Sequence, residues 1–202
     1  MINSLKKEIE LRKDYLNNNT IHTIYFGGGT PSILKVTEIS MLINTIYENY
    51  TVTENAEISL ECNPDDLTKV KLQSLKKIGI NRLSIGIQSF NSEDLKFMNR
   101  SHNCDQAIAS VKLAKEIGFN NISIDLMYSL PKQSLDKWKK NLDIAFSLKI
   151  QHVSAYSLTF EEKTKLKYLL KKGKISELDD ISSSKHFDLL MTEAEKHKFI
   201  QY

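Results

Sequence analysis

Apolar, β-branched runs of strand length alternate along this chain with segments whose apolar residues recur at helical spacing. The strand-length runs lie at Ile21–Phe26, Glu57–Glu61, Arg82–Gln88, Asn121–Asp125 and Gln151–Ser157. Between them, Val36–Glu48, Leu67–Ile78, Cys104–Ile117 and Ser134–Leu148 carry amphipathic helical patterns. In the third, Ile108, Val111, Ala114 and Ile117 share one face; in the fourth, Leu135, Trp138, Leu142 and Ala145 do so. That row predicts Trp138 in the core against a sheet. A helix over Leu5–Leu16 is expected ahead of the first strand, and two more follow the last, at Lys163–Lys172 and Ser184–Lys198. Phe187, Leu190, Met191 and Ala194 would give the final helix a buried face. Strands and helices alternating at these lengths imply βαβ units, hence an α/β fold with parallel strands and outer helices.

Two helix exits are near copies, Lys77-Ile78-Gly79-Ile80-Asn81 and Glu116-Ile117-Gly118-Phe119-Asn120. Each sets a Gly where a helix needs a left-handed residue, then an apolar residue that can fold back on the last turn. No Pro/Gly-rich linker interrupts the pattern, so residues 1–202 read as one domain, with 160–202 a helical C-terminal extension.

A length of 202 residues suits a single domain with a substantial core, and 41% hydrophobic with 26% charged residues is a globular composition. The net charge is only +3, with 28 basic residues against 25 acidic ones, so the balance gives no reason to invoke nucleic acid. The Lys-rich stretch Lys163–Lys174 reads as a solvated helix face rather than a phosphate-binding patch. Neither a secretory signal nor a membrane span is visible, and the expected compartment is the cytoplasm. Cys62 and Cys104 are the two cysteines, and neither belongs to a CxxC or Cx3Cx2C cluster, so the chain carries no metal motif of its own.

In parallel α/β barrels, functional groups collect at the C-terminal ends of the strands. Here those ends are polar. The first runs into Gly27-Gly28-Gly29-Thr30-Pro31, the second delivers Glu61 and Asn63, the third Gln88 and Ser89, the fourth Asp125, and the fifth Tyr156 and Ser157. A Gly triplet lets a ligand approach the backbone and turns amides or carbonyls toward it. The triplet is neither GxGxxG nor a phosphate-binding P-loop, and a zwitterion suits it better than a pyrophosphate. Glu61 and Asp125 need partners if buried, with ribose hydroxyls, an ammonium group or an Arg as the options. Arg100 is the candidate carboxylate clamp.

The motifs in order resemble those of one family. Tyr25-Phe26-Gly27-Gly28-Gly29-Thr30-Pro31-Ser32 is similar to the GGGTPS motif of radical S-adenosylmethionine (SAM) proteins related to oxygen-independent coproporphyrinogen III oxidase. Leu60-Glu61-Cys62-Asn63-Pro64, Arg82 through Phe90, Asn99-Arg100-Ser101-His102-Asn103, Ile124 through Tyr128 and Ser154 through Thr159 continue the series. The Asn-Pro after Glu61 and the Ser-Ala-Tyr-Ser-Leu-Thr segment resemble the haem-chaperone branch more than the oxidase branch. The resemblance implies a partial (β/α)6 radical SAM barrel without its first strand, open at an edge beside Ile21–Phe26 and so prone to association. It implies that Gly28, Gly29 and Thr30 hold the methionine end of SAM and that Glu61, Gln88, Arg100 and Asp125 are further contacts. In the intact family a Cx3Cx2C loop binds a [4Fe–4S] cluster, and cluster and SAM together generate a 5′-deoxyadenosyl radical.

Several positions depart from the family pattern. The cysteine loop would precede the Leu5–Leu16 helix, yet the sequence starts at Met1, and the His-containing haem motif of the chaperone branch is also absent. Ser129 stands where a Gly is usual before Leu130-Pro131, and Glu161-Glu162-Lys163 replaces a Pro-Gly turn. The expectation is thus a fragment, split gene product or degraded homologue, unable alone to cleave SAM reductively. Its intact parent would bind haem and deliver it to haemoproteins; the alternative is the oxidative decarboxylation of coproporphyrinogen III, and whether this chain is an enzyme stays open. His102, within the Asn-Arg-x-His-Asn segment, reads as a local hydrogen-bonding residue rather than a haem ligand.

Overall fold

The computed structural model describes residues 1–17 and 19–202. Its strands are β1 (Ile21–Phe26), β2 (Val52–Cys62), β3 (Arg82–Gln88), β4 (Asn121–Tyr128) and β5 (His152–Ser157). They pair in sequence order, all parallel, in a sheet that curls into a half-barrel. The helices are α1 (Ile2–Leu11), α2 (Val36–Asn49), α3 (Lys69–Lys77), α4 (Ser92–Phe97), α5 (Cys104–Glu116), α6 (Leu135–Ser147), α7 (Lys165–Lys171) and α8 (Asp180–Lys196). The expected partial α/β barrel is therefore present, and its outer strands β1 and β5 each have one edge without a paired strand among the described residues.

Side-chain alternation divides the sheet into two chemically different faces. One carries Ile58, Leu60, Leu83, Ile85, Ile87, Ile122, Ile124 and Leu126, all buried against the helices with Leu72, Leu75, Val111, Ala114, Trp138 and Leu142. Trp138 is fully buried, as its helical row predicts, and its ring lies 5.6 Å from that of Tyr128. The opposite, concave face is polar, carrying Tyr25, Ser59, Glu61, Ser84, Asp125 and Ser154 at neighbouring register positions. Below them, toward the strand starts, Arg82 bridges Glu57 at 3.5 Å and donates to Ser59 Oγ at 3.3 Å, while Asn121 donates to Glu57 at 3.2 Å.

The twin helix exits behave as the sequence predicts. Ile80 N–H reaches back to Leu75 O at 3.1 Å and Phe119 N–H to Ala114 O at 3.0 Å, with Gly79 and Gly118 at φ of +100° and +93°. Both apolar residues are buried, so each exit locks its helix onto the strand that follows.

Some boundaries differ from expectation. The first helix spans Ile2–Leu11 rather than Leu5–Leu16, since beyond Leu11 the charged run Arg12-Lys13-Asp14 offers no apolar residue to pack, and the chain turns. Strand β2 starts five residues early, at Val52, and its pairing skips from Ile21↔Val52 to Thr23↔Glu57, so the polar Thr53–Ala56 segment bulges. The last helix starts at Asp180 because Asp179 caps it, accepting from Ser182 N–H at 2.9 Å. Its apolar row is less covered than expected: His186 and Glu193 are its buried residues, Phe187 is exposed, and Leu190, Met191 and Ala194 are half-buried. They line a groove of about 1040 Å³ against the free edge of β5.

Candidate functional site

The β1 exit is built by glycines that serve two purposes. At Gly27 a Cβ would lie 2.6 Å from the Tyr25 ring and 3.0 Å from Glu61 Oε1, so only hydrogen fits. Gly28 and Gly29 instead adopt φ of +82° and +66°, and a Cβ at either would meet nothing within 4 Å. Their backbone faces open space in a conformation that side chains disfavour, which is what a ligand-contacting loop requires. Glu61 holds this loop from β2: its Oε2 accepts from Gly28 N–H at 3.0 Å, and its Oε1 from Tyr25 Oη–H at 2.8 Å. Burial, then the bond to Glu61 and that carboxylate's negative charge, push the Tyr25 hydroxyl up to about 12, so it remains a donor.

Thr30 precedes a 3₁₀ turn at Pro31–Ile33, which is stitched to the β2 exit. Ser32 Oγ donates to Asp66 at 2.5 Å and accepts from Asn63 N–H at 3.1 Å, and the Lys71 ammonium reaches Ser32 O. The motif includes Ser32 but says nothing of these partners, which depend on how the β1 and β2 exits pack.

Asp125 projects from β4 into the concave face, where Ser84 donates to it at 3.4 Å and Ser154 is its register partner on β5. Burial raises its carboxyl above the ordinary aspartate range; the two serines oppose the shift and the nearby Glu61 charge adds to it. A cation placed beside Asp125 would oppose that upward shift and favour its ionised form.

Arg100 and Gln88 meet over Gly86. Arg100 Nη2 donates to Asn63 Oδ1 at 2.7 Å and to Gly86 O at 2.9 Å. Both bonds use one nitrogen of the guanidinium, leaving the donors on Nε and Nη1 for a ligand. A Cβ at Gly86 would lie 3.0 Å from Gln88 Nε2 and 3.6 Å from Arg100 Nη2, so this glycine makes room for both. Gln88 itself takes φ of +68°, where the β3–β4 register shifts between Ile85 and Gln88. Beyond it a buried cluster fastens the exit: Ser89 Oγ donates to Asp94 at 2.9 Å, Gln133 Nε2 to the same oxygen at 3.2 Å, and Asn141 Oδ1 accepts Phe90 N–H at 2.8 Å. Of the seven residues singled out by sequence, Gly28, Gly29, Thr30, Glu61 and Gln88 thus lie at or just beyond the C-terminal ends of β1 to β3, Asp125 lies within β4, and Arg100 reaches the end of β3 from the joint between α4 and α5. Tyr25, Ser84, Ser154 and Gly86, which brace or make room for them, lie inside the motif segments, but the sequence alone gives them no site role.

A sequence model of the radical SAM superfamily matches residues 3–145. The chain belongs to the radical SAM superfamily. It is 42% identical over 163 residues to the heme chaperone HemW of Buchnera aphidicola from Acyrthosiphon pisum, covering 81% of this chain and 43% of that protein. With HemW of Bacillus subtilis it shares 35% identity over 202 residues, 100% of this chain and 53% of the relative. The chain thus spans about half the length of the curated relatives it matches. The solved structure of Escherichia coli coproporphyrinogen III oxidase, described as a radical SAM enzyme, superposes with a TM-score of 0.83 at 27% identity, over 96% of this chain and 45% of that one.

The superfamily implies SAM and a [4Fe–4S] cluster, and the two fit differently. The open glycine loop, paired acidic groups and partly unused guanidinium suit a small zwitterion carrying hydroxyls. The cysteines do not suit a cluster. Cys62 is buried on the helix-facing side of β2, its thiol pushed up by burial, and Cys104 opens α5. Among the described residues no group of three or more His, Cys, Asp or Glu side chains is placed to hold a metal, and no helix is long and apolar enough to cross a membrane.

Proposed function

We propose that this chain is the SAM-binding core of a radical SAM haem chaperone, whose task is to hold haem and pass it to haemoproteins. What supports the SAM reading is the open Gly28–Gly29 backbone, held by Glu61, together with Asp125, Gln88 and Arg100 on or against the neighbouring strands β3 and β4. Gly28, Gly29 and Thr30 would hold the methionine end, and Arg100 its carboxylate. Asp125 and Gln88 would meet the ammonium or the ribose hydroxyls, and Glu61 would act mainly by holding the loop from behind. In the superfamily, SAM on a reduced [4Fe–4S] cluster supplies a 5′-deoxyadenosyl radical; without a ligand set for that cluster, the role assigned to these residues is binding.

Calorimetry with SAM tests the site. One SAM per chain is expected, and Asp125→Ala, which removes the half-buried carboxyl partner, should weaken it by about tenfold or more. Unaltered binding would overturn the assignment. Anaerobic reconstitution with iron and sulfide should leave this chain without a [4Fe–4S] centre; a bound centre with stoichiometric 5′-deoxyadenosine would show otherwise.

The chaperone reading is favoured over the oxidase because the two HemW relatives are 42% and 35% identical, against 27% for the oxidase. Competition between haem and coproporphyrinogen III for the SAM-loaded chain separates them. A Soret band saturating at one haem and resisting coproporphyrinogen supports the chaperone, whereas preferential capture of coproporphyrinogen supports the oxidase.

A further inference from the structure

Arg100 sits in a six-residue joint between α4 and α5, Met98 to Asn103, that is fastened at every position. The α4 exit closes on itself, with Asn99 at φ of +54° and Arg100 N–H bonded to Leu95 O at 2.9 Å. The α5 entry closes with a reciprocal cap, Asn103 Oδ1 accepting from Gln106 N–H and Gln106 Oε1 from Asn103 N–H, both at 2.9 Å. Between them, Ser101 Oγ donates to Asp65 at 2.6 Å and His102 Nε2 contacts Ile87 O at 3.0 Å. A carbonyl only accepts, so the ring carries its proton on Nε2. The His102 side chain is fully buried, and its Nδ1 faces Asp65 Oδ1 at 4.0 Å without a hydrogen bond.

The register of these bonds matters. Arg100 grips Gly86 O and His102 grips Ile87 O, consecutive carbonyls of β3 immediately before Gln88. One three-residue segment therefore holds the strand end by a charged side chain and a neutral one, with Asp65 and Asn63 steadying it from the β2 exit. Ile87 O also accepts from Ser89 N–H at 2.9 Å, so removing His102 would leave no orphaned carbonyl. The ring's donor is redundant for satisfying the backbone. Its distinctive effect is geometric.

The geometry points to His102 as a positioning residue: through Ile87 O it sets the place of Arg100 and Gln88, and so the affinity of the site for the carboxylate end of its ligand. This rests on the SAM reading above and names a residue which that reading leaves unassigned. A side chain that merely filled space would act on every ligand alike. One that aims Arg100 acts on ligands bearing the carboxylate.

The experiment compares calorimetric binding of SAM and of 5′-methylthioadenosine, which keeps the nucleoside and lacks the amino-acid end. His102→Leu keeps bulk without the donor, and His102→Gln keeps an N–H donor at similar reach. Leu should weaken SAM by about tenfold, with methylthioadenosine unchanged within about twofold, and Gln should recover most of the loss. Wild-type SAM affinity in the Leu variant, equal loss of both ligands, or no recovery with Gln would overturn the inference. Should His102→Leu fail to fold, Asp65→Ala carries the test: exposed Asp65 releases Ser101, and SAM alone should weaken a few-fold. Wild-type chain that does not bind SAM, or Arg100→Ala that binds it normally, would instead sink the reading of the site.

Discussion

Ser129 shows how a backbone requirement outlives the residue that best meets it. The family pattern has Gly here, and the structure keeps the glycine conformation, φ of +59°, with Ser in place. Its Oγ is buried without a hydrogen-bond partner. Both features cost free energy, so Ser129→Gly should stabilise the chain by about 1 kcal/mol, read as a rise in melting temperature. A fall would mean the hydroxyl has a partner. Lys163, in the segment replacing the family's Pro-Gly turn, likewise takes a positive φ of +66°. These positions were legible in the sequence because a motif said what ought to stand there. Tyr25, Ser84 and Ser154 also stand in motif segments, but their roles were not legible, because those depend on which strands become neighbours and in what register. Strand alternation gives the face of a residue, never its partner across the sheet.

At the scale of elements, periodicity found every strand and all helices but one. Helix α4 spans only Ser92–Phe97, too short for an apolar period to register; Asn91 caps it, its Oδ1 accepting from Glu93 N–H at 2.9 Å and Asp94 N–H at 3.2 Å. Helix α8 was located, and its expected apolar face is present in part: Leu190 and Ala194 pack against the core while Phe187 is exposed. Contacts with α6 add to it: Trp138 Nε1 donates to His186 O at 2.9 Å, and Phe146 stacks on His197 at 4.5 Å and meets Phe199 edge-on at 5.1 Å. Trp138→Phe keeps most of the buried ring and deletes that donor. A loss of about 1 kcal/mol is expected, with faster amide exchange in α8 and little change in β2 to β4. Equal acceleration across the sheet would indicate that the tryptophan serves the whole core instead.

For the molecule as a whole, acid tolerance follows from its histidines. Burial lowers the affinity of His102, His152 and His186 for protons below the ordinary value of 6.5. Between the lowered values and 6.5 the unfolded chain binds more protons than the folded one, so stability rises with pH there. The contribution is complete above 6.5 and is lost as pH falls below it. Asp125, shifted upward, acts oppositely at lower pH: its folded form takes up a proton before the unfolded one does. Melting temperature should therefore hold steady near neutrality and decline below about pH 6.5, with His186→Gln flattening the decline. An unchanged slope in that variant would exclude His186 as a contributor.

The two-faced sheet has a calorimetric consequence. A ligand seated on the concave face exchanges water for serines, carboxylates and a guanidinium, and buries little hydrocarbon in doing so. Heat capacity responds chiefly to hydrocarbon leaving water. The enthalpy of SAM binding should thus vary only weakly between cool and warm titrations. Occupation of the groove between β5 and α8, walled by Phe187, Leu190 and Met191, would instead make binding markedly more exothermic on warming. The temperature slope of one titration series thereby reports which surface the ligand has chosen.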